Sequence, residues 1–427
     1  MNRRVAIVGG GVAGLTAAYF LRRGGAEVTL LESSRVGNAA SVGNAGWLCP
    51  AQAGPLPEPG VVTDGIRSLL DRDSALYFAP SHLPRMLPWL VRFAAHCNVR
   101  DHRRGADALG RLGRRTFELT EMLLADGVEF ELHRDGLLVA AEREEAAWAF
   151  LRGLAPLRAL GYRIADAPLD GPAVRALEPA LSERVSAGLP IEQHWHVHPA
   201  TLMRGLARRL REMGVVVEEG SEVLDLEGPN GAPVRVRTSV GVHEADAVVL
   251  AAGAWTPGVA RSLGLRVPVQ AGKGYSFEIA LEQPLRHAVL LIEPHVGVSP
   301  LNGRVRLAGT MEFSGVNARL DRRRIESIVR GAAPLVPGVA RGEIENPWSG
   351  MRPIAPDGLP IIGRSPRHPN VYLATAYSML GMTLAAPAGE ALARMILTGE
   401  RPAELDPFTI ERFAGHRLRA RRTPAPA

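Results

Sequence analysis

The chain has 427 residues, 46% of them apolar and 22% charged, with a net charge of +6. That length calls for two hydrophobic cores rather than one, in a protein of ordinary globular composition. The positive charge rests on dispersed arginines with no compact basic block, which excludes a dedicated nucleic-acid binder and leaves acidic ligands, a nucleotide or an anionic membrane surface.

Residues 4 to 8, RVAIV, predict a short buried strand. Gly9-Gly10-Gly11-Val12-Ala13-Gly14 follows and fits G-x-G-x-x-G. The segment TAAYFLRRGG predicts a helix closed by Gly24 and Gly25, and EVTLLE a second strand ending at Glu32. This is a βαβ nucleotide-binding pattern. Gly9 permits the turn, Gly11 a close approach of pyrophosphate, and Gly14 the packing of helix on strand. The helix amino terminus offers N–H groups to the phosphates, and Glu32 is placed to take ribose hydroxyls. The opening arginines and apolar run resemble an export signal, but glycines at fixed spacing assign them to structure.

Three later stretches extend the pattern. Residues 37 to 50, GNAASVGNAGWLCP, are too lean in side chains for a helix or strand and bring backbone amides close to a flat ligand. Residues 246 to 255, DAVVLAAGAW, predict a buried strand running into a small-residue turn. Residues 359 to 398 contain a strand, NVYLAT, a turn at Gly381 and a long helix that can aim its amino terminus at an electron-rich ring. Together with KGYS (273 to 276), WSGMRPIAPDGLPIIG (348 to 363) and LGMT (380 to 383), these stretches resemble the D-amino-acid oxidase superfamily of FAD enzymes. The bacterial D-amino-acid dehydrogenase branch is the nearest in motif.

The resemblance spans nearly the whole chain. It implies an α/β architecture: a discontinuous Rossmann-like FAD-binding domain (1–72, 199–268 and 346–415) with a substrate-binding domain of sheet and helices, α+β in character (73–198 and 269–345). Hairpin turns are expected at 229–231 and at Asn302-Gly303, and 416–427 reads as a basic tail. The implied FAD-binding residues are Gly9, Gly11, Val12, Ala13, Gly14, Glu32, Ser33, Ser41, Asn44, Ala45, Gly46, Val223, Ala252, Gly253, Leu380, Gly381, Met382 and Thr383. The FAD is expected to be non-covalent, although Cys49 lies near the flavin loop.

The implied chemistry is oxidation of an amino acid, foremost a D-amino acid, by hydride transfer from Cα to flavin N5, giving a 2-oxo acid and ammonia. A secondary amine such as sarcosine or a hydroxyproline is the alternative substrate, and a non-catalytic flavoprotein subunit the alternative role. Arg352 is expected at the substrate carboxylate. Relatives carry a second arginine where this chain has Leu301, and Arg304 or Arg306 is a candidate to compensate. Lys273 is the single lysine in a chain that otherwise uses arginine. Flanked by glycines, it is expected beside the flavin or the carboxylate, with Tyr275 on the same face of an extended strand. Tyr377 or Ser378 stands where relatives have a histidine. One of His194, His196 and His198 is expected to border the substrate pocket, rather than the three to bind a metal.

The two cysteines, Cys49 and Cys97, lack metal-ligand spacing, and a reducing, cytoplasmic compartment is expected. No apolar run reaches membrane-spanning length. Residues 82–104 carry Leu83, Leu87, Trp89, Leu90, Val91 and Phe93 between arginines. They form either a cap on the substrate domain or an interfacial helix on the inner face of the membrane, interrupted by Pro84 and Pro88. The electron acceptor is a quinone or oxygen. The oligomeric state is not written in the sequence.

Overall fold

The computed structural model describes residues 3–68, 74–228 and 233–414. The turn at 229–231 and the tail at 416–427 lie outside the described residues. Strand Arg4–Val8 pairs in parallel with Glu27–Glu32 on one side and Ala247–Leu250 on the other. Val216–Glu219 and Val371–Thr375 extend the parallel sheet, and Ile361–Arg364 closes it antiparallel. The central strands are continuous apolar runs because both faces are covered. Val5, Ile7, Val28, Leu30 and Val249 face helices Val12–Arg23, Pro199–Glu212 and Gly381–Thr398. Ala6, Val8, Leu31, Val248 and Leu250 face a three-stranded meander through Leu226, Val234 and Val236. The first and last of these helices cross closely: a Cβ on Gly389 would lie 3.0 Å from the Ala17 nitrogen.

A nine-stranded sheet stands beside this one. Its central strand, Gln270–Ile279, pairs antiparallel with Arg304–Phe313 and with Glu345–Ile354. The sequence reading returns the chain to the nucleotide unit at 346, but Glu345–Ile354 is an edge strand of this second sheet, and the return follows it. Val296–Leu301 and Arg304–Phe313 form the hairpin expected at Asn302-Gly303, whose φ values of 50° and 73° suit a tight two-residue turn. Helix Arg322–Ala332 packs Ile325 and Ile328 on one face of the sheet. Helix Leu83–His96 runs on through Pro88 and buries Met86, Trp89 and Phe93 against Phe313 and Ile354. It is therefore a cap on the large sheet.

Candidate active site

Gly9 leaves its strand with φ of 109°, and a Cβ on it would fall 2.6 Å from the Ala251 carbonyl oxygen. A Cβ on Gly14 would fall 1.9 Å from the Gly9 carbonyl oxygen, so only glycine lets this helix meet this strand. Glu32 Oε2 accepts from the Gly10 N–H at 2.8 Å, while Oε1 accepts from the Ser33 hydroxyl at 3.1 Å and the Ser34 N–H at 2.9 Å. The carboxylate is thus fixed at the tip of the second strand.

From this turn a cavity of about 1800 Å3 runs between the two sheets. A pocket for one drug-sized molecule holds roughly 300–1,000 Å3, so there is room for a dinucleotide and a second ligand. Gly9, Gly11, Val12, Ala13, Glu32 and Ser33 line one end. Ser41, Asn44, Ala45 and Gly46 line it as well, as do Val223, Ala252, Gly253, Leu380, Gly381 and Met382. The three distant stretches therefore meet on one ligand path. Gly14 and Thr383 were expected to touch the cofactor but do not line the cavity. Gly14 packs helix on strand. Thr383 is fully buried, accepts from the Cys49 N–H at 3.1 Å and donates to the Trp47 carbonyl at 3.1 Å, pinning the loop to the long helix.

The large sheet holds the same loop from the other side. Arg306 donates to the carbonyls of Val42 and Asn44 at 3.2 and 3.1 Å, Ser276 to that of Gly43 at 2.5 Å, and Ser299 to that of Ala45 at 2.8 Å. In a trans peptide the C=O and the following N–H point in opposite directions. Four carbonyls drawn to the sheet therefore turn the N–H groups of Gly43, Asn44 and Ala45 away from it, while that of Gly46 is taken by Asn44 Oδ1 at 2.8 Å. Ser41 Oγ accepts from the Val12 N–H at 3.0 Å and ties the loop to the first helix. Trp348 lies across Gly43 and Gly350, where a Cβ would meet its ring at 2.2 and 2.0 Å.

Arg352 lines the cavity from the large sheet, where it pairs with Gly272. Nη1 donates to the Thr310 carbonyl at 2.8 Å, and no carboxylate among the described residues lies within ion-pair distance. Burial lowers its pKa to about 10. Its guanidinium lies over Gly274, where a Cβ would fall 2.2 Å from Nη1. Thr310 has φ of 61°, an outlier for a β-branched residue, and sits where Lys273 pairs with Glu312 but Tyr275 with Gly309. This bulge turns the Thr310 carbonyl to Arg352.

Lys273 is not on the cavity wall, contrary to expectation. It is 2% exposed, and its ammonium reaches Glu312 Oε1 at 2.8 Å, Asn317 Oδ1 at 2.9 Å and the Arg319 carbonyl at 3.1 Å. Three acceptors converging on one point suit an ammonium and not a planar fork, which is why arginine does not serve here. Burial raises the Glu312 carboxyl, but hydrogen bonds from Lys273, Ser314 and Tyr275 outweigh it and hold it below the usual range. Tyr275 does line the cavity, and its hydroxyl donates to Glu312 Oε2 at 2.7 Å. With that proton committed, its oxygen can only accept from a further group. Burial, then Glu312, push the phenol up.

Neither candidate for the missing second arginine reaches the cavity: Arg304 pairs with Glu345, and Arg306 with Glu278. Leu301 is buried and also off the wall. Tyr377 and Ser378 do line it. The three histidines do not. His194 and His196 are fully buried behind Trp47, whose ring stands edge-on to His194 at 5.4 Å. His196 stacks on His133 at 4.5 Å, and Nε2 meets the Pro300 carbonyl at 3.0 Å. Burial lowers its pKa to about 4. Among the described residues, no group of three or more histidine, cysteine or acidic side chains is placed to hold a metal. Cys49 borders the cavity, and burial pushes its thiol up to about 11, away from thiolate chemistry. Sequence reasoning missed Thr310, Met311, Phe313 and Trp348 on the wall, because each is placed by contacts distant in the chain.

A glycine-lined dinucleotide cradle opening onto a recess with an arginine that meets no carboxylate among the described residues is the architecture of a flavin-dependent oxidoreductase. The sequence matches the DAO family, described as FAD dependent oxidoreductase, over residues 4–395, and the chain belongs to that family. FAD is its cofactor, and the bare backbone at Gly9 and Gly11, the fixed Glu32 and the clamped loop fit it. The chain is 32% identical to a D-amino acid dehydrogenase of Methylobacterium sp. (strain 4-46), covering 97% of this chain and 99% of that one. It is 26% identical to a D-amino acid dehydrogenase of Helicobacter pylori (strain ATCC 700392 / 26695), covering 97% and 99%. Glycine oxidase from Geobacillus kaustophilus superposes with a TM-score of 0.75 at 25% identity, covering 96% of this chain and 98% of that one. Iminodiacetate oxidase from Chelativorans sp. BNC1 has the same fold, with a TM-score of 0.74 at 23% identity over 95% and 98%.

Proposed function

We propose that this protein oxidises an α-amino acid, foremost a D-amino acid, at the Cα–N bond. The observation that carries this reading is Arg352, a partly buried guanidinium on the cavity wall with no carboxylate within ion-pair distance among the described residues. A buried cation without a counter-ion is costly, and a substrate carboxylate supplies the missing charge. FAD, when bound, supplies the hydride acceptor. Arg352 holds the carboxylate so that Cα is fixed in orientation. Tyr275 and the Lys273–Glu312 pair behind it brace the wall. Loss of hydride from Cα and a proton from nitrogen gives an imine, which water hydrolyses to the 2-oxo acid and ammonia. Anaerobic mixing of the yellow holoprotein with D- and L-amino acids, glycine, sarcosine and proline derivatives tests this. Bleaching by a D-amino acid is expected, and no bleaching by any of them refutes it.

With Arg304 and Arg306 engaged elsewhere, a single arginine serves the carboxylate, which keeps the secondary-amine reading in the same panel. The FAD is held without a covalent bond, so acid precipitation releases all the flavin.

The protein has a further, peripheral contact in our reading. No described helix is long and apolar enough to cross a membrane. Leu87, Val91 and Val99 are 58%, 64% and 54% exposed, and Arg85, Arg92, Arg100, Arg103 and Arg104 are exposed around them. This surface docks on anionic lipid, with a quinone as acceptor. Sedimentation with phosphatidylglycerol vesicles that Leu87→Asp/Val91→Asp abolishes is the expected result. Equal sedimentation of the variant counts against docking, and rapid reoxidation by oxygen counts against the quinone.

A further inference from the structure

The recess beyond Arg352 has a chemistry of its own. Met311 Sδ lies 3.7 Å from Arg352 Nη1, so the walls change from cationic to apolar within one side chain's reach. A Cβ on Gly272 would fall 2.4 Å from that sulfur and 3.6 Å from Phe313 Cε1, and this bare backbone is what lets the two side chains settle there. Phe313 stacks on Phe78 at 5.2 Å, and Trp89 leans on it at 5.9 Å. Leu76 pairs with Met311 across the sheet, and Phe78 with Phe313. Leu56 closes the cluster. All six residues line the cavity, and Leu56, Leu76, Phe78 and Met311 keep part of their surface open to it.

Among the described residues, the ionic pair nearest this wall is satisfied internally. Lys273 and Glu312 neutralise each other away from the cavity. Glu58, which also borders it, is solvent-exposed. A charged side chain entering the recess would lose water and find no counter-ion among these six residues, whereas an apolar one would displace water from surfaces that gain by it. A hydrogen or methyl group would leave that wall wet.

We propose that the amino acid oxidised here carries a large apolar side chain, housed against Leu56, Leu76, Phe78, Trp89, Met311 and Phe313 while Arg352 holds its carboxylate. This rests on the amino-acid reading of the site. It names the substrate class as aromatic, thioether or branched aliphatic amino acids in preference to glycine, alanine or charged ones.

The test uses the purified holoprotein. Anaerobic stopped-flow bleaching compares D-phenylalanine, D-methionine and D-leucine with D-alanine, glycine, D-glutamate, D-lysine and D-arginine. The large apolar group is expected to lead in specificity constant by about tenfold or more. Glycine, alanine or an acidic side chain leading overturns the proposal, and so does a basic one, which would point to Glu58. Separately, the oxidised flavin spectrum is titrated with 3-phenylpropanoate and propanoate, which carry no amine and cannot react. Tighter binding of 3-phenylpropanoate, again by about tenfold, supports the recess, and equal or weaker binding overturns it. If no amino acid bleaches the flavin, the activity reading fails while this pair still decides the recess. Phe78 is partly exposed, and in a Phe78→Ala protein that still binds flavin and melts cooperatively the D-phenylalanine to D-alanine ratio is expected to shrink; an unchanged ratio counts against the assigned wall.

Discussion

Substituting Gly274 by alanine separates the placement of Arg352 from its charge. The new methyl would fall 2.2–2.3 Å from three guanidinium atoms, so the side chain must swing aside. Gly274 has no left-handed φ, and alanine fits its strand. The fold should lose a little: the Arg352–Thr310 bond has a charged donor and its loss costs about 1.5–3 kcal/mol, of which replacing glycine in a compatible conformation returns about 0.4–1 kcal/mol. The substrate should notice. A hydrogen bond to a charged group contributes about 1.5–3 kcal/mol, so carboxylate binding should weaken by roughly tenfold to a hundredfold. The assay is anaerobic flavin titration with the best substrate of wild type, alongside the melting temperature. A modestly lowered melting point of a still cooperative transition, with a weakened Kd, is expected. Wild-type affinity in a folded Gly274→Ala protein would refute the argument that Arg352, resting on this glycine, seats the carboxylate.

Lys273→Met leaves Glu312 buried without its counter-ion and should destabilise the protein by about 3–5 kcal/mol. Lys273→Arg should recover only part of the loss, because the planar fork cannot meet three convergent acceptors; urea unfolding measures both. Arg306→Leu frees the Val42 and Asn44 carbonyls, so the loop should loosen and FAD occupancy of the purified protein fall, read as the ratio of flavin to protein absorbance. His196, with a folded pKa of about 4 against about 6.5 unfolded, binds its proton first in the unfolded chain. Its contribution is present above pH 6.5 and is lost as pH falls through 4, by an amount on the order of 3 kcal/mol. His196→Phe should flatten that part of the stability profile, and an unchanged profile would assign the acid sensitivity elsewhere.

The features legible in the sequence are those a few consecutive residues determine. The glycine turn, Glu32 at the end of its strand and the Asn302-Gly303 hairpin follow from local backbone demands. The path of the cofactor was legible too, because three small-residue stretches have little other use. What could not be read is which face of a strand looks where. Gln270–Ile279 is buried on both faces, so alternation correctly put Lys273 and Tyr275 together but could not say that they meet at Glu312, with Lys273 off the cavity. The bulge at Thr310 shifts the register of the facing strand and leaves no local signal in GTMEF. Arg306 was, with Arg304, a candidate to replace the arginine missing at Leu301, yet four carbonyls that need donors drew Arg306, Ser276 and Ser299 to the loop.

A chain with one lysine, and that one sealed from solvent, offers electrophiles almost nothing. Apart from its terminal amine, the folded protein presents no side-chain amino group to activated esters, aldehydes or the 2-oxo acids that its proposed reaction would release. Modification at Lys273 must wait for the large sheet to part. The rate at which that single side-chain amine takes up a label is therefore a clock for the opening of the substrate-side wall, readable by mass on the peptide that contains Lys273.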